Sequence, residues 1–290
     1  MSTRLTKAVR EAKPEARGAD FMRSVFGREA LFSISALLVS AILVQTIYAT
    51  VIRPRAAAIL AEPAVPLDQL KPGQPITHNL RSVFVILKDY EQETALILAT
   101  WALSLIGYQA GAVARNRRLL EKDYIELGEG HVVLPDDARA YGRPIESLPR
   151  EEQDMLLPRA LMVALNRFGA TRSVQDAAEA VRAECENELD RLDAHLSMVR
   201  FTAWAIPAVG FVGTVRGIGR ALQEAQGALH GDISGVTLGL GITFNATLTA
   251  LICCILVMFF LHQLQQAQDR LVLDARMYID RRLIRNMRVH

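Results

Sequence analysis

Four long apolar runs dominate the chain. Ala30–Ile52 holds 23 residues without a charge, Thr94–Ala114 holds 21, and Val236–Leu261 holds 26. Phe201–Leu222 is interrupted only by Arg216 and Arg220. A helix needs about 20 apolar residues to cross a bilayer core. The pattern therefore predicts an all-α, polytopic membrane protein with four transmembrane helices, at 29–52, 94–114, 201–222 and 236–261. The stretches between and around them are 1–28, 53–93, 115–200, 223–235 and 262–290.

Two of the polar stretches carry helical periodicity into the helices they adjoin. "SVQDAAEAVRAECENELDRLDAHLSMVR", residues 173–200, has Ser173 as an N-cap, Asp176 at N3 and no Gly or Pro. It predicts one helix over 173–222, roughly 75 Å long at 1.5 Å per residue. Beyond Leu261 the last apolar run continues without a breaker as "HQLQQAQDRLVLDARMYIDRRLIRN". The last two helices are thus expected to extend together into a cytoplasmic helical stalk. Elsewhere the pattern breaks. Pro54, Pro63, Pro66, Pro72, Gly73 and Pro75 predict an extended loop over 53–80, with helix resuming near Leu80. Gly, Pro and Asp predict a loop over 128–149, and helices follow from Arg150.

Charge sets the expected topology. Lys and Arg number seven in 1–28, thirteen in 115–200 and six in 262–290, against five in 53–93 and none in 223–235. The positive-inside rule places both termini and 115–200 in the cytoplasm. Residues 1–28 precede a full-length apolar run with no small-residue cleavage site after it, which reads as an uncleaved anchor. The arginines at 115–118 and 281–288 fit anionic headgroups, with no need of nucleic acid. Cys185, Cys253 and Cys254 are too few and too scattered for a disulfide framework and are expected as reduced packing residues.

Chemistry adds little that is catalytic. The six histidines, at 78, 131, 195, 230, 262 and 290, lack metal-ligand spacing, so no metal or cofactor is expected. The Gly-x-Gly pairs at 217/219 and 239/241 lack a third glycine and lie in predicted membrane, and there is no Walker sequence. An enzyme is not expected.

What stands out is the polarity of the last two apolar runs. Pro207, Gly210, Thr214 and Gly217 fall at i, i+3, i+7 and i+10, one helical face; Gly213 adds another small residue. Thr243, Thr247, Ala250 and Cys254 make a matching face, with Asn245 and Thr249 beside it. Small residues let membrane helices approach closely, and hydroxyls bond across or back to their own backbone. Counted from the ends of the runs, Thr214 lies roughly 12 Å and Thr243 roughly 10 Å below the outer surface. That makes the two hydroxyls level, with Thr247 one turn deeper. Level oxygens on smooth faces suit a desolvating ion. Arg216 lies about 200° around the helix from Thr214, and snorkelling to the outer headgroups is the expectation for it. None of the four runs holds Asp or Glu, so a proton relay would need a carboxyl group from elsewhere.

The stretch "IPAVGFVGTVRGIGRAL", followed by "GLGITFNATLTALI", resembles the core of the MotA/TolQ/ExbB proton-channel family. The resemblance covers 200–265 strongly and the neighbouring helices loosely. It implies an ion-conducting subunit, H⁺ or Na⁺ being the transported species, in a bacterial inner-membrane motor. It also implies a homopentamer around a dimer of a single-span partner of the ExbD/TolR/MotB kind, whose intramembrane aspartate moves the ion and whose periplasmic part does the work. Thr214 and Thr243 would face that aspartate, with Thr247 also on the ion pathway. Pro207, Gly210, Gly213 and Gly217 would form the pore wall. Asn245 stands where an aspartate is expected in related chains. The alternative class is a non-conducting scaffold that recruits partners through its cytoplasmic helices.

Overall fold

The computed structural model describes residues 28–61, 82–122, 124, 132–228 and 234–289. Expectations for the basic N-terminal segment, for the proline-rich stretch beyond Ala61 and for the turn at 229–233 lie outside the described residues. Among those described, the fold is all-α; the only β geometry is an isolated bridge between Val133 and Met287. Four helices are long and apolar enough to cross a membrane, over Ala30–Ala61, Tyr90–Leu120, Val174–Ala225 and Gly239–Asn286. The chain is a multi-pass membrane protein. It divides into two compact units, one of the residues up to Trp101 with Val212–Thr249, the other of Ala102–Phe211 with Ala250 onward.

In the first unit, α1 (Arg28–Ile47) passes through a π-turn, Tyr48–Ile52, into α2 (Arg53–Ala61). Val44, Tyr48 and Ile52 are buried and pack on Leu87, Leu96 and Ile97. Leu38, Val39 and Ile42 on other faces are exposed, as suits a helix among lipid tails. The sequence predicts a loop from residue 53, but helix continues to Ala61. The π-turn explains how. Arg53 N–H bonds back five residues to Tyr48 O, which widens the helix just where Pro54 has no N–H to give. Arg53 is then held by Glu93 at 2.6 Å, with its guanidinium 4.6 Å from the Tyr90 ring centre.

The helix expected from Leu80 onward forms in two pieces, α3 (Val83–Leu87) and α4 (Tyr90–Leu120). Gln92 bridges the break by donating to Ile86 O at 2.9 Å. Because α4 starts at Tyr90 rather than Thr94, Glu91 and Glu93 occupy its first turn, where the helix dipole favours negative charge.

The second unit has a core built on α5 (Ala138–Glu146), α7 (Leu156–Thr171) and α8 (Val174–His195), with the C-terminal half of α10 (Ser234–Arg282). A short helix, α6 (Arg150–Gln153), leads into α7. The loop expected over 128–149 is therefore partly helical, despite Gly142 and Pro144. Ala138, Gly142 and Ile145 recur on one face and are buried, so tertiary packing overrides weak local propensity. Ser173 caps α8 as expected, accepting from Asp176 N at 3.2 Å. Arg159 on α7 bonds Glu184 and Glu188 of α8. Burial works against its charge, but the two carboxylates outweigh burial and hold the guanidinium more firmly protonated.

The single helix predicted over 173–222 is interrupted at Leu196, where α8 ends and α9 (Ser197–Ala228) begins. Leu196 N bonds three residues back to Asp193 O at 3.1 Å, a tighter turn than α. Arg200 adds a second bond to that carbonyl at 3.0 Å and pairs with the Asp193 carboxylate at 2.6 Å. The continuation of the last helix past Leu261 is unbroken to Arg282, as expected.

Candidate functional site

The two smooth faces meet. In the first unit, positions stepping back along α9 pack on positions stepping forward along α10: Ala221 on Gly239, Gly217 on Thr243, Gly213 on Ala246. A Cβ on Gly217 would lie 2.9 Å from the Thr243 Cβ, and one on Gly213 2.6 Å from the Ala246 Cβ. Real side chains do not approach that closely, so these glycines are needed for the contact. In this register the hydroxyl of Thr214 is hydrogen-bonded to that of Thr247.

This corrects the level predicted for the hydroxyls. Thr214 meets Thr247, not Thr243. The depth count took the apolar runs as the helix ends, whereas α9 runs on to Ala228 and α10 begins at Ser234. The register moves by about one helical turn. Thr243 is buried against Gly217 and donates back to Gly239 O at 2.7 Å. Thr249 likewise donates to Asn245 O at 2.9 Å. Cross-helix and back-bonded threonines thus coexist, and half-buried Thr214 and Thr247 are the pair that spans the two helices.

Arg216 has a partner that its own helix does not disclose: its guanidinium pairs with Glu91 of α4, Nη2 to Oε2, at 2.7 Å. The Glu91 side chain is 10% exposed and that of Arg216 39%. The Glu91 stem crosses α9 at Gly213, where an added Cβ would meet Glu91 Cγ at 3.0 Å. Asp89, just before α4, has its carboxyl pushed up by burial; Lys88, Arg216 and Arg220 oppose the shift. Glu91 escaped the sequence reading because the uncharged run begins at Thr94. The available signal was Arg216 itself, since an arginine in an apolar run requires a counter-charge.

In the second unit, Pro207 lies inside α9 and lacks the N–H that would bond Ala203 O. The thiol of Cys254 on α10 donates to that carbonyl at 3.3 Å. Gly210 and Ala250 are buried. Cys185 and Cys253 are buried and Cys254 is half-buried, all three as free thiols.

Residues 152–277 match the model of the MotA/TolQ/ExbB proton channel family. The matched segment holds every threonine, glycine and proline of the hairpin described above. No curated protein and no solved structure matches the chain.

Proposed function

We propose that this chain, a member of the MotA/TolQ/ExbB proton channel family through its residues 152–277, is the ion-conducting subunit of an inner-membrane motor. In this reading it converts ion motive force into movement of a single-span partner acting in the periplasm. Five copies surround two copies of the partner, both termini lie in the cytoplasm, and H⁺ or Na⁺ is the transported ion.

The observation that carries the reading is the Thr214–Thr247 hydroxyl pair between two faces of small residues. A hydroxyl pair offers lone pairs and an exchangeable proton to an ion or carboxyl group that meets it, at no charge cost in a low-dielectric setting. The smooth surround lets a partner helix pass at close range. The Glu91 carboxylate that reaches this level is paired with Arg216; in this reading the acid that relays the proton is the partner's intramembrane aspartate.

The test is ion flux in vesicles carrying this chain with its single-span partner. Partner-dependent flux that is lost in Thr214→Val/Thr247→Val, with assembly retained, is the expected result. Full flux in that double variant would place the ion route elsewhere.

A further inference from the structure

Arg216 poses a problem for any cation path past Thr214. Two residues along a helix are about 3 Å of rise, and a fixed positive charge repels a passing cation. At a separation of about 10 Å and an effective dielectric constant of about 20, an uncompensated charge lowers cation occupancy by roughly tenfold. The structure supplies the compensation. Glu91 reaches across from the first turn of α4, its stem laid over Gly213 next to Thr214 and its carboxylate on the Arg216 guanidinium at 2.7 Å. The glycine that its stem crosses adjoins the threonine.

We propose that Glu91 is the counter-ion that makes Arg216 compatible with cation conduction, and so a specificity-determining residue for passage at Thr214 and Thr247. This rests on the conducting role given above. The pair leaves almost no net charge beside the hydroxyls. A latch between α4 and α9 could be made by apolar packing, without charges, whereas a counter-ion cannot.

The two explanations differ in sign. A counter-ion predicts that Glu91→Gln, which takes from Arg216 the carboxylate paired with it, lowers cation flux roughly tenfold. Arg216→Gln leaves a bare carboxylate that attracts cations, so flux stays level or rises. Glu91→Gln/Arg216→Gln restores flux towards wild type, and Arg216→Lys, which keeps the charge, behaves as wild type. A latch predicts that both single neutralisations fall together and the double stays low. The measurement is flux in vesicles with the single-span partner present, with thermal stability and native mass recorded for each variant. Flux that falls in Arg216→Gln as in Glu91→Gln would overturn the proposal. If Glu91→Gln does not assemble, Arg216→Gln decides alone, because a fall there is incompatible with the counter-ion role. Thr214→Val/Thr247→Val, measured alongside, separates the two levels of argument: unchanged flux in it removes the path itself. Lost flux in it, with both neutralisations falling, removes only the role of Glu91.

Discussion

Thr214 on α9 and Thr247 on α10 share a hydroxyl–hydroxyl hydrogen bond, flanked by Gly213 and Gly217, where an added Cβ would collide with Ala246 and Thr243. Each threonine is the other's cross-helix partner, so their contributions are coupled. Removing one hydroxyl takes this one bond from the other, a net loss of about 0.5–1.5 kcal/mol. Removing both is expected to cost little more than removing one. Thermal stability in detergent of Thr214→Val, Thr247→Val and the double variant checks this; additive losses would contradict it. The loss of flux in Thr247→Val should match that in Thr214→Val and exceed that in Thr243→Val, whose hydroxyl donates back to Gly239 O.

The glycines divide into two groups. An alanine at Gly213 or Gly217 would drive a methyl group into Ala246 or Thr243, and overpacking of this kind costs about 1–3 kcal/mol. At Gly219 and Gly241 an added Cβ meets nothing within 4 Å. Alanine there should be neutral or slightly stabilising, because helical glycine is entropically costly. Melting temperatures of the four single variants test the contrast, which disappears if the hairpin register differs from the one described.

Pro207 and Cys254 should be coupled through the Ala203 carbonyl, although they do not bond each other. Cys254→Ala removes that carbonyl's thiol donor and should destabilise by about 1 kcal/mol or somewhat more. Pro207→Ala restores an N–H to the same carbonyl, so in that background Cys254→Ala should cost much less. A double-mutant cycle on thermal stability reads the coupling directly; a coupling energy near zero would show that the thiol only fills space.

Tyr124 reports on the second unit. Burial, with smaller effects from Glu152 and Tyr278, pushes its phenol up to about 12, against about 10 for an unfolded tyrosine. The folded state therefore holds its proton more tightly than the unfolded state. Stability from this group is complete below pH 10 and is lost as pH rises from about 10 to about 12. Alkaline unfolding should track tyrosinate absorbance in that window, and Tyr124→Phe should shift it upward. An unshifted transition would assign the alkaline sensitivity to another group.

The sequence alone determined which segments are membrane helices, where Ser173 starts α8, and that two smooth, hydroxyl-bearing faces lie on the last two long helices. All of these are local: they follow from the periodicity of apolar and small residues or from a cap within one turn. Tertiary structure decided what depends on distant partners. Helix ends beyond the apolar runs set the hairpin register, and so paired Thr214 with Thr247. Packing against α7 made a helix of the segment holding Gly142 and Pro144. The partner of Arg216 lies 125 residues away in sequence, on a turn outside the uncharged run. Periodicity measures how a residue repeats along its own helix; it carries no information on which charge another helix brings to it.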